Sequence, residues 1–277
     1  MTPDQYCHNK AAPGGSSLYY SIRSLPAAQR DAITALHAFC REVNDVIDEC
    51  SDSGVARMKF GWWRTEIANL FDGVPQHPVA RALAAAVPRF HITAPRLTAI
   101  IDGVEADLDC DRYPDFDALA RYCYHVDGAV TVLSAEIAGY RDAATLDYAA
   151  ELGIALRLTA IIRDVGKDAR RGRIYLPQDE LARFGVTERD ILELRESERF
   201  TRLMQFQIER TVARYQQAAA ALPPIDRKTQ RAGLAMAAIQ RALLDEIAAD
   251  GCHVLTQRTV LTPLRKLWIA WQTRIRD

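Results

Sequence analysis

No run of 18 apolar residues occurs anywhere in the 277-residue chain, so no segment of it reads as a membrane-spanning helix. Strand-like alternation of apolar and polar residues is essentially absent, which excludes sandwiches, barrels and α/β architectures. Excess charge of one sign is also lacking. A net charge of −1 disfavours nucleic acid as a partner. The six cysteines (Cys7, Cys40, Cys50, Cys110, Cys123, Cys252) include no Cys-x-x-Cys pair, and their spacing suits neither zinc nor a disulfide framework. Residues 1–15 are polar and carry no apolar signal segment. With reduced thiols, a cytoplasmic protein is expected. Internal repeats, low-complexity tracts and flexible linkers are missing, so residues 1–277 are expected to form a single domain, with 1–14 a loosely ordered lead-in.

What the chain does contain is helical periodicity. Residues 27–49 place Ile33, Leu36, Phe39, Cys40, Val43 and Ile47 at spacings of 3 to 4, with Pro26 where a first helical turn tolerates it. Similar patterns predict helices over 55–71, 79–87, 95–108, 116–138, 144–166, 188–221 and 226–249, and a last one from Pro263. The breakers are Gly73 to Pro78, Tyr113-Pro114, Gly172 to Pro177 and Pro223-Pro224. Asp115 is placed to cap the helix that follows it. Segments 128–138 and 149–162 are apolar nearly all round and belong at the centre of a bundle. The fold class predicted is all-α, one helical bundle around a central apolar cavity.

Two acidic clusters about 120 residues apart stand at the mouth of that interior: Phe39 to Glu49, and Ile162 to Pro177. Asp164 and Asp168 are four apart, so a helix projects both carboxylates from one face. They repel one another unless a cation lies between them. Oxygen ligands without His or Cys suit Mg²⁺, which keeps waters and bridges to substrate phosphates. Arginines flank both clusters, as a diphosphate requires. Metal-assisted ionisation of an allylic diphosphate, at the edge of a greasy interior, is the chemistry these residues suggest.

The segments Gly15 to Ser21, Arg41 to Asp48, Tyr122-Cys123-Tyr124 and Arg163-Asp164 to Pro177 resemble the squalene/phytoene synthase family, on the side of its bacterial members that form presqualene diphosphate in hopanoid synthesis. The likeness runs from about Tyr6 to Trp271. It implies an all-α isoprenoid synthase fold and a Mg²⁺-dependent prenyltransferase. Two farnesyl diphosphates would be joined head to head. It puts one metal-binding arm on Asn44, Asp45 and Asp48 and the other on Asp164 and Asp168. It implies diphosphate contacts from Arg41, Arg163 and Arg258, with Ser16 and Ser17 close by, and gives Tyr122 and Val126 to the substrate tunnel.

Six positions depart from the pattern the resemblance implies. Asn44 replaces an Asp and keeps only a neutral carbonyl as ligand. Arg157 and Ala160 replace a Gln and a metal-ligating Asn. Asp127 replaces a small apolar tunnel residue, Thr131 a glycine, and Gln240 a diphosphate-facing Tyr. Asp127 and Arg157 are expected on neighbouring core helices, where they can pair. An unpaired Asp127 would hold its proton or act as a base. A second function therefore stands beside condensation: one prenyl diphosphate is ionised and then cyclised, or captured by a non-isoprenoid acceptor held near Asp127. A non-catalytic binding protein is a third, disfavoured by the four retained aspartates. His37, His91, His125 and His253 are scattered and expected to be structural. The C-terminal stretch from Pro263 mixes cationic and aromatic residues, so peripheral membrane contact there competes with ordinary docking of a terminal helix.

Overall fold

The computed structural model describes residues 1–50 and 52–276. Among them fourteen α-helices and no strand are found: α1 Pro3–Ala11, α2 Ser17–Ile22, α3 Ala27–Glu49, α4 Ser53–Phe71, α5 Pro78–Arg89, α6 Ala94–Glu105, α7 Phe116–Cys123, α8 Ala129–Ala138, α9 Ala144–Ala169, α10 Gln178–Phe184, α11 Glu188–Leu192, α12 Glu198–Ala221, α13 Arg231–Ala249 and α14 Pro263–Arg276. The all-α expectation holds. The 27–49 helix has the bounds its periodicity implied, and Asp115 caps α7 by accepting from the Ala118 amide at 2.8 Å.

Four local differences have physical causes. The lead-in expected to be loose is helix α1, closed by a reciprocal Thr2/Gln5 capping box and anchored by buried Cys7 and Ala11 against α3 and α5. The single helix expected over 116–138 is split by a π turn at Tyr124–Gly128. The 188–221 helix is interrupted where Leu194 adopts φ 54°, a conformation that cannot continue a right-handed helix. Helix α10 was not anticipated; seven residues are too few for periodicity to register, and Gly185 at φ 66° ends it.

Helix α9 is the axis of the bundle, packed against α8, α12, α13 and the π turn. Nine of the fourteen residues 149–162 are buried and the other five are half-buried, as their largely apolar character requires. Two glycines let neighbours reach its backbone. A Cβ on Gly153 would lie 2.5 Å from the Gly128 Cα, so Gly153 admits the π turn that carries Asp127. A Cβ on Gly166 would collide with the Leu255 carbonyl. Its bare backbone instead donates to the Val254 carbonyl at 3.1 Å, which brings the following loop, with Arg258, onto α9. No described helix is long and apolar enough to cross a membrane.

Candidate active site

Three cavities meet at one side chain, His37 on α3. The first, about 300 Å³, lies between α3 and α9 and is acidic. Its walls carry Asp45 and Asp48 from α3, Asp164 and Asp168 from α9, Asp107 from the turn after α6, and Asp127 from the π turn. The cations facing them are Arg41, Arg157, Lys167 and Arg173. The second, also about 300 Å³, is basic: Arg41, Arg163, Arg258 and Lys266 line it with Ser16, Ser17 and Gln240, and no carboxylate does. The third, about 60 Å³, is apolar, walled by Leu18, Ile22, Ile33, Leu152, Leu156 and Met236, with Thr131 at its side. His37 lines all three, and Arg41 joins the acidic cavity to the basic one.

The acidic arms are braced by the protein's own cations. Asp45 takes Lys10 at 2.7 Å, and Lys10 also reaches Glu42 at 3.0 Å. Asp48 takes Lys167 at 2.9 Å and Arg171, so the second arm's cations neutralise the first arm's carboxylate. Burial pushes Asp48 up, yet these two partners leave it below its ordinary value. Burial likewise raises Asp164, but Arg163 and Arg258 (Nε to Oδ1, 2.8 Å) hold it down at about 2. Among the described residues Asp168 has no such partner. Burial and the nearby Asp164 and Asp48 carboxylates push it up to about 6, against the pull of Arg157 and Lys167. A buried carboxylate crowded by two others marks a place for a hard cation. The donor set fits Mg²⁺. Among the described residues no three ligating side chains are already gathered around one point, so loading requires the bracing cations to swing away. Most of these are exposed or half-exposed long side chains, whose pairs are worth on the order of 0.2–1 kcal/mol each. Asn44 turns its amide back to the Cys40 carbonyl at 2.7 Å, and its carbonyl is the end left to ligate.

Arg157 does not pair with Asp127. Its guanidinium lies over the Tyr122 ring (5.1 Å) and near the Tyr175 ring (5.7 Å), and it donates to the Tyr122 hydroxyl. Its Nε is buried without a partner. The aromatic contacts place the charge on the wall shared with Asp107, where Tyr122, Tyr175 and Tyr113 donate at 2.7, 2.9 and 3.3 Å. Among the described residues Asp127 therefore keeps a carboxyl without an ion pair. Burial raises its pKa, and the more distant Arg157 opposes this. Ala160 lines the acidic cavity. Tyr122 and Val126 do not line any of the three cavities: Val126 is core, and Tyr122 acts through Arg157 and Asp107. Thr131 donates to the Asp127 carbonyl at 2.8 Å. Ser16 caps α2 by accepting from the Tyr19 amide at 3.1 Å, and Gln240 rests on Met236.

Sequence reasoning missed Asp107, Tyr113, Tyr175, Arg173, Lys10 and Lys167 as members of the site, and treated His37 as structural. Arg173, Tyr175 and Lys167 lie inside the second acidic cluster, so a signal was present for them. Asp107 sits in an acidic run, Glu105 to Asp111, which by composition looks solvated. His37 is held neutral, at about 4, by burial first and then by Arg41.

An all-α bundle whose acidic, basic and apolar cavities share one junction defines a protein of the isoprenoid synthase fold. The chain belongs to the squalene/phytoene synthase family, whose profile matches residues 11–265. It is 34% identical to a phytoene synthase of Arthrospira platensis over 95% of this chain and 89% of that protein. It is 33% identical to the chloroplastic phytoene synthase of an Oncidium hybrid, of which it spans only 62%. A crystal structure of a dehydrosqualene synthase with ligand superposes with a TM-score of 0.87 at 25% identity, covering 99% of this chain and 96% of that one. The squalene synthase HpnC of Alicyclobacillus acidocaldarius shares the fold, with a TM-score of 0.75 at 22% identity over 90% of this chain and 94% of that one.

Proposed function

We propose that this protein joins two prenyl diphosphates head to head, with farnesyl diphosphate as substrate and presqualene diphosphate as product. The meeting of the three cavities at His37 is the observation that carries this reading. Diphosphate is an anion, and the basic cavity offers Arg41, Arg163, Arg258 and Lys266 with no carboxylate on its wall, Arg163 and Arg258 exchanging Asp164 for the anion. The hydrocarbon leaves that cavity past His37 into the apolar one. Bound Mg²⁺, held by Asp45, Asp48, Asp164 and Asp168 with the Asn44 carbonyl, would supply positive charge to the leaving group. The allylic C–O bond breaks and the diphosphate departs with the electron pair, neutralised by Arg41 and Lys266 and by Arg163 and Arg258 once these have released Asp164. The double bond of the second chain attacks the allylic carbon, that carbon then loses a proton, and the cyclopropane closes. The apolar walls keep water from the cation. A neutral His37 at the junction adds no competing positive charge. Six free cysteines support a cytoplasmic setting.

The phytoene synthase relatives favour the longer geranylgeranyl chain, and the apolar cavity of about 60 Å³ must open to take either chain. One observation favours a different acceptor: the unpaired Asp127 carboxyl in the acidic cavity is suited to hold a polar group. Incubation of pure protein with Mg²⁺ and farnesyl or geranylgeranyl diphosphate, followed by mass spectrometry of extracts, tests all three. Presqualene diphosphate from farnesyl diphosphate is expected. Phytoene-type product from geranylgeranyl diphosphate alone would overturn the chain-length assignment. A monoprenyl alcohol, cyclic hydrocarbon or acceptor adduct would overturn condensation.

A further inference from the structure

Helix α14 is amphipathic in the wrong sense for a docked terminal helix. Leu264, Leu267, Trp268, Trp271 and Ile275 recur every three or four residues and form one stripe. That stripe faces outward: Leu264, Trp268, Trp271 and Ile275 are 79%, 54%, 49% and 63% exposed. Trp268 and Trp271 stack at 4.9 Å, so the two indoles form one plate. The helix carries no acidic residue. Beside the plate, between α2 and α14, lies a cavity of about 300 Å³ with Tyr20, Trp271 and three arginines, Arg23, Arg231 and Arg274, on its walls and no carboxylate. None of the three has an ion pair or hydrogen bond among the described residues, and the Arg231 Nε is buried without a partner. Three uncompensated guanidiniums around one hollow call for an anion, and the apolar stripe beside them calls for hydrocarbon.

We propose that this face binds an anionic bilayer: Trp268, Trp271, Leu264 and Ile275 enter the interface, and a lipid phosphate headgroup seats among Arg23, Arg231 and Arg274. Charge complementarity and the adjoining apolar stripe identify the occupant, because a free anion leaves the stripe exposed and a neutral surface leaves the arginines unpaired. The surface adjoins the basic cavity. Lys266 of α14 lines that cavity and donates to the Gly15 carbonyl at 3.0 Å, and Val260 and Leu261, just before α14, line it as well. Substrate and product with long hydrocarbon tails would thus exchange beside the membrane. The inference does not depend on which prenyl diphosphate reacts.

Co-sedimentation of the full chain with phosphatidylcholine vesicles, with and without phosphatidylglycerol, tests it at low and high salt. Binding to the anionic vesicles is expected, weakened by salt. Each of Arg23→Gln, Arg231→Gln and Arg274→Gln should lower it about fivefold. Trp268→Ser with Trp271→Ser should lower it roughly tenfold or more, while Trp62→Ser, an exposed tryptophan on α4, should change nothing. Brominated lipid should quench wild-type fluorescence and not that of the Trp268/Trp271 double variant. Equal binding to neutral and anionic vesicles, or none, would overturn the proposal. A dimer in solution that the same double variant dissociates, with no vesicle binding, would assign the face to a second copy instead.

Discussion

Replacing Asp107 should damage the site through the residues it holds and, beyond them, through Arg157. The carboxylate is buried, accepts from three tyrosine hydroxyls at 2.7, 2.9 and 3.3 Å, and has Arg173 at 3.7 Å. Through Tyr122 it also anchors Arg157, whose Nε already lacks a partner. Asp107→Ala takes the acceptor from three buried hydroxyls and leaves two cations without their carboxylate. Breaking a buried charged network of this kind costs about 3–5 kcal/mol. Asp107→Asn keeps an acceptor and loses only the charge, so about 1.5–3 kcal/mol is expected. At roughly 2–4 °C per kcal/mol for a chain of this size, the alanine variant should melt on the order of 10 °C lower. The double variant Asp107→Asn with Arg157→Gln should recover about 1 kcal/mol or more over the sum of the singles, because the stranded cation is gone. Thermal and urea unfolding of the wild type, Asp107→Ala, Asp107→Asn, Arg157→Gln and the double variant reads this directly. A fall of under about 2 °C for Asp107→Ala, or strict additivity in the cycle, would show that the network does not hold Arg157 in place.

Three further outcomes are expected. Asn44→Asp with Arg157→Gln and Ala160→Asn restores oxygen ligands and removes a cation from the acidic cavity; condensation product per minute should rise, and an unchanged rate and product would show these departures to be neutral. Asp168 is raised above its unfolded value, so the folded state binds the extra proton between about pH 4 and 6 and stability falls as pH rises through that window, by about 3 kcal/mol. Melting curves without metal should show this loss, Asp168→Asn should erase it, and Mg²⁺ should stabilise the wild type above pH 6 but not Asp164→Ala or Asp168→Ala. Asp127→Ala removes a carboxyl that has no ion pair, so the melting temperature should hold or rise while the product spectrum changes on mass spectrometry; a large destabilisation with unchanged product would give Asp127 a packing role.

The two acidic arms, their four-residue spacing and the helices that bear them were legible in the sequence, because helical periodicity and i, i+4 geometry are local. So was the all-round apolar character of residues 149–162, which required a central helix. The pairing of Asp127 with Arg157 was not decided locally. Both residues reach the same cavity, yet Arg157 turns to Tyr122 and Tyr175 because two aromatic rings and the Asp107 network lie on that side. Asp107 and Tyr122 are separated by 15 residues and Asp107 and Tyr175 by 68, so no window along the chain contains the network. His37 looked ordinary for the same reason: a junction of three cavities exists only once α2, α3, α8, α9 and α13 have packed. The outward set of the α14 stripe is likewise tertiary. Its period was plain in the residues, but periodicity only says that one face is apolar, and the close fit of the opposite face against α2 and α13 decided which side was left to the surroundings.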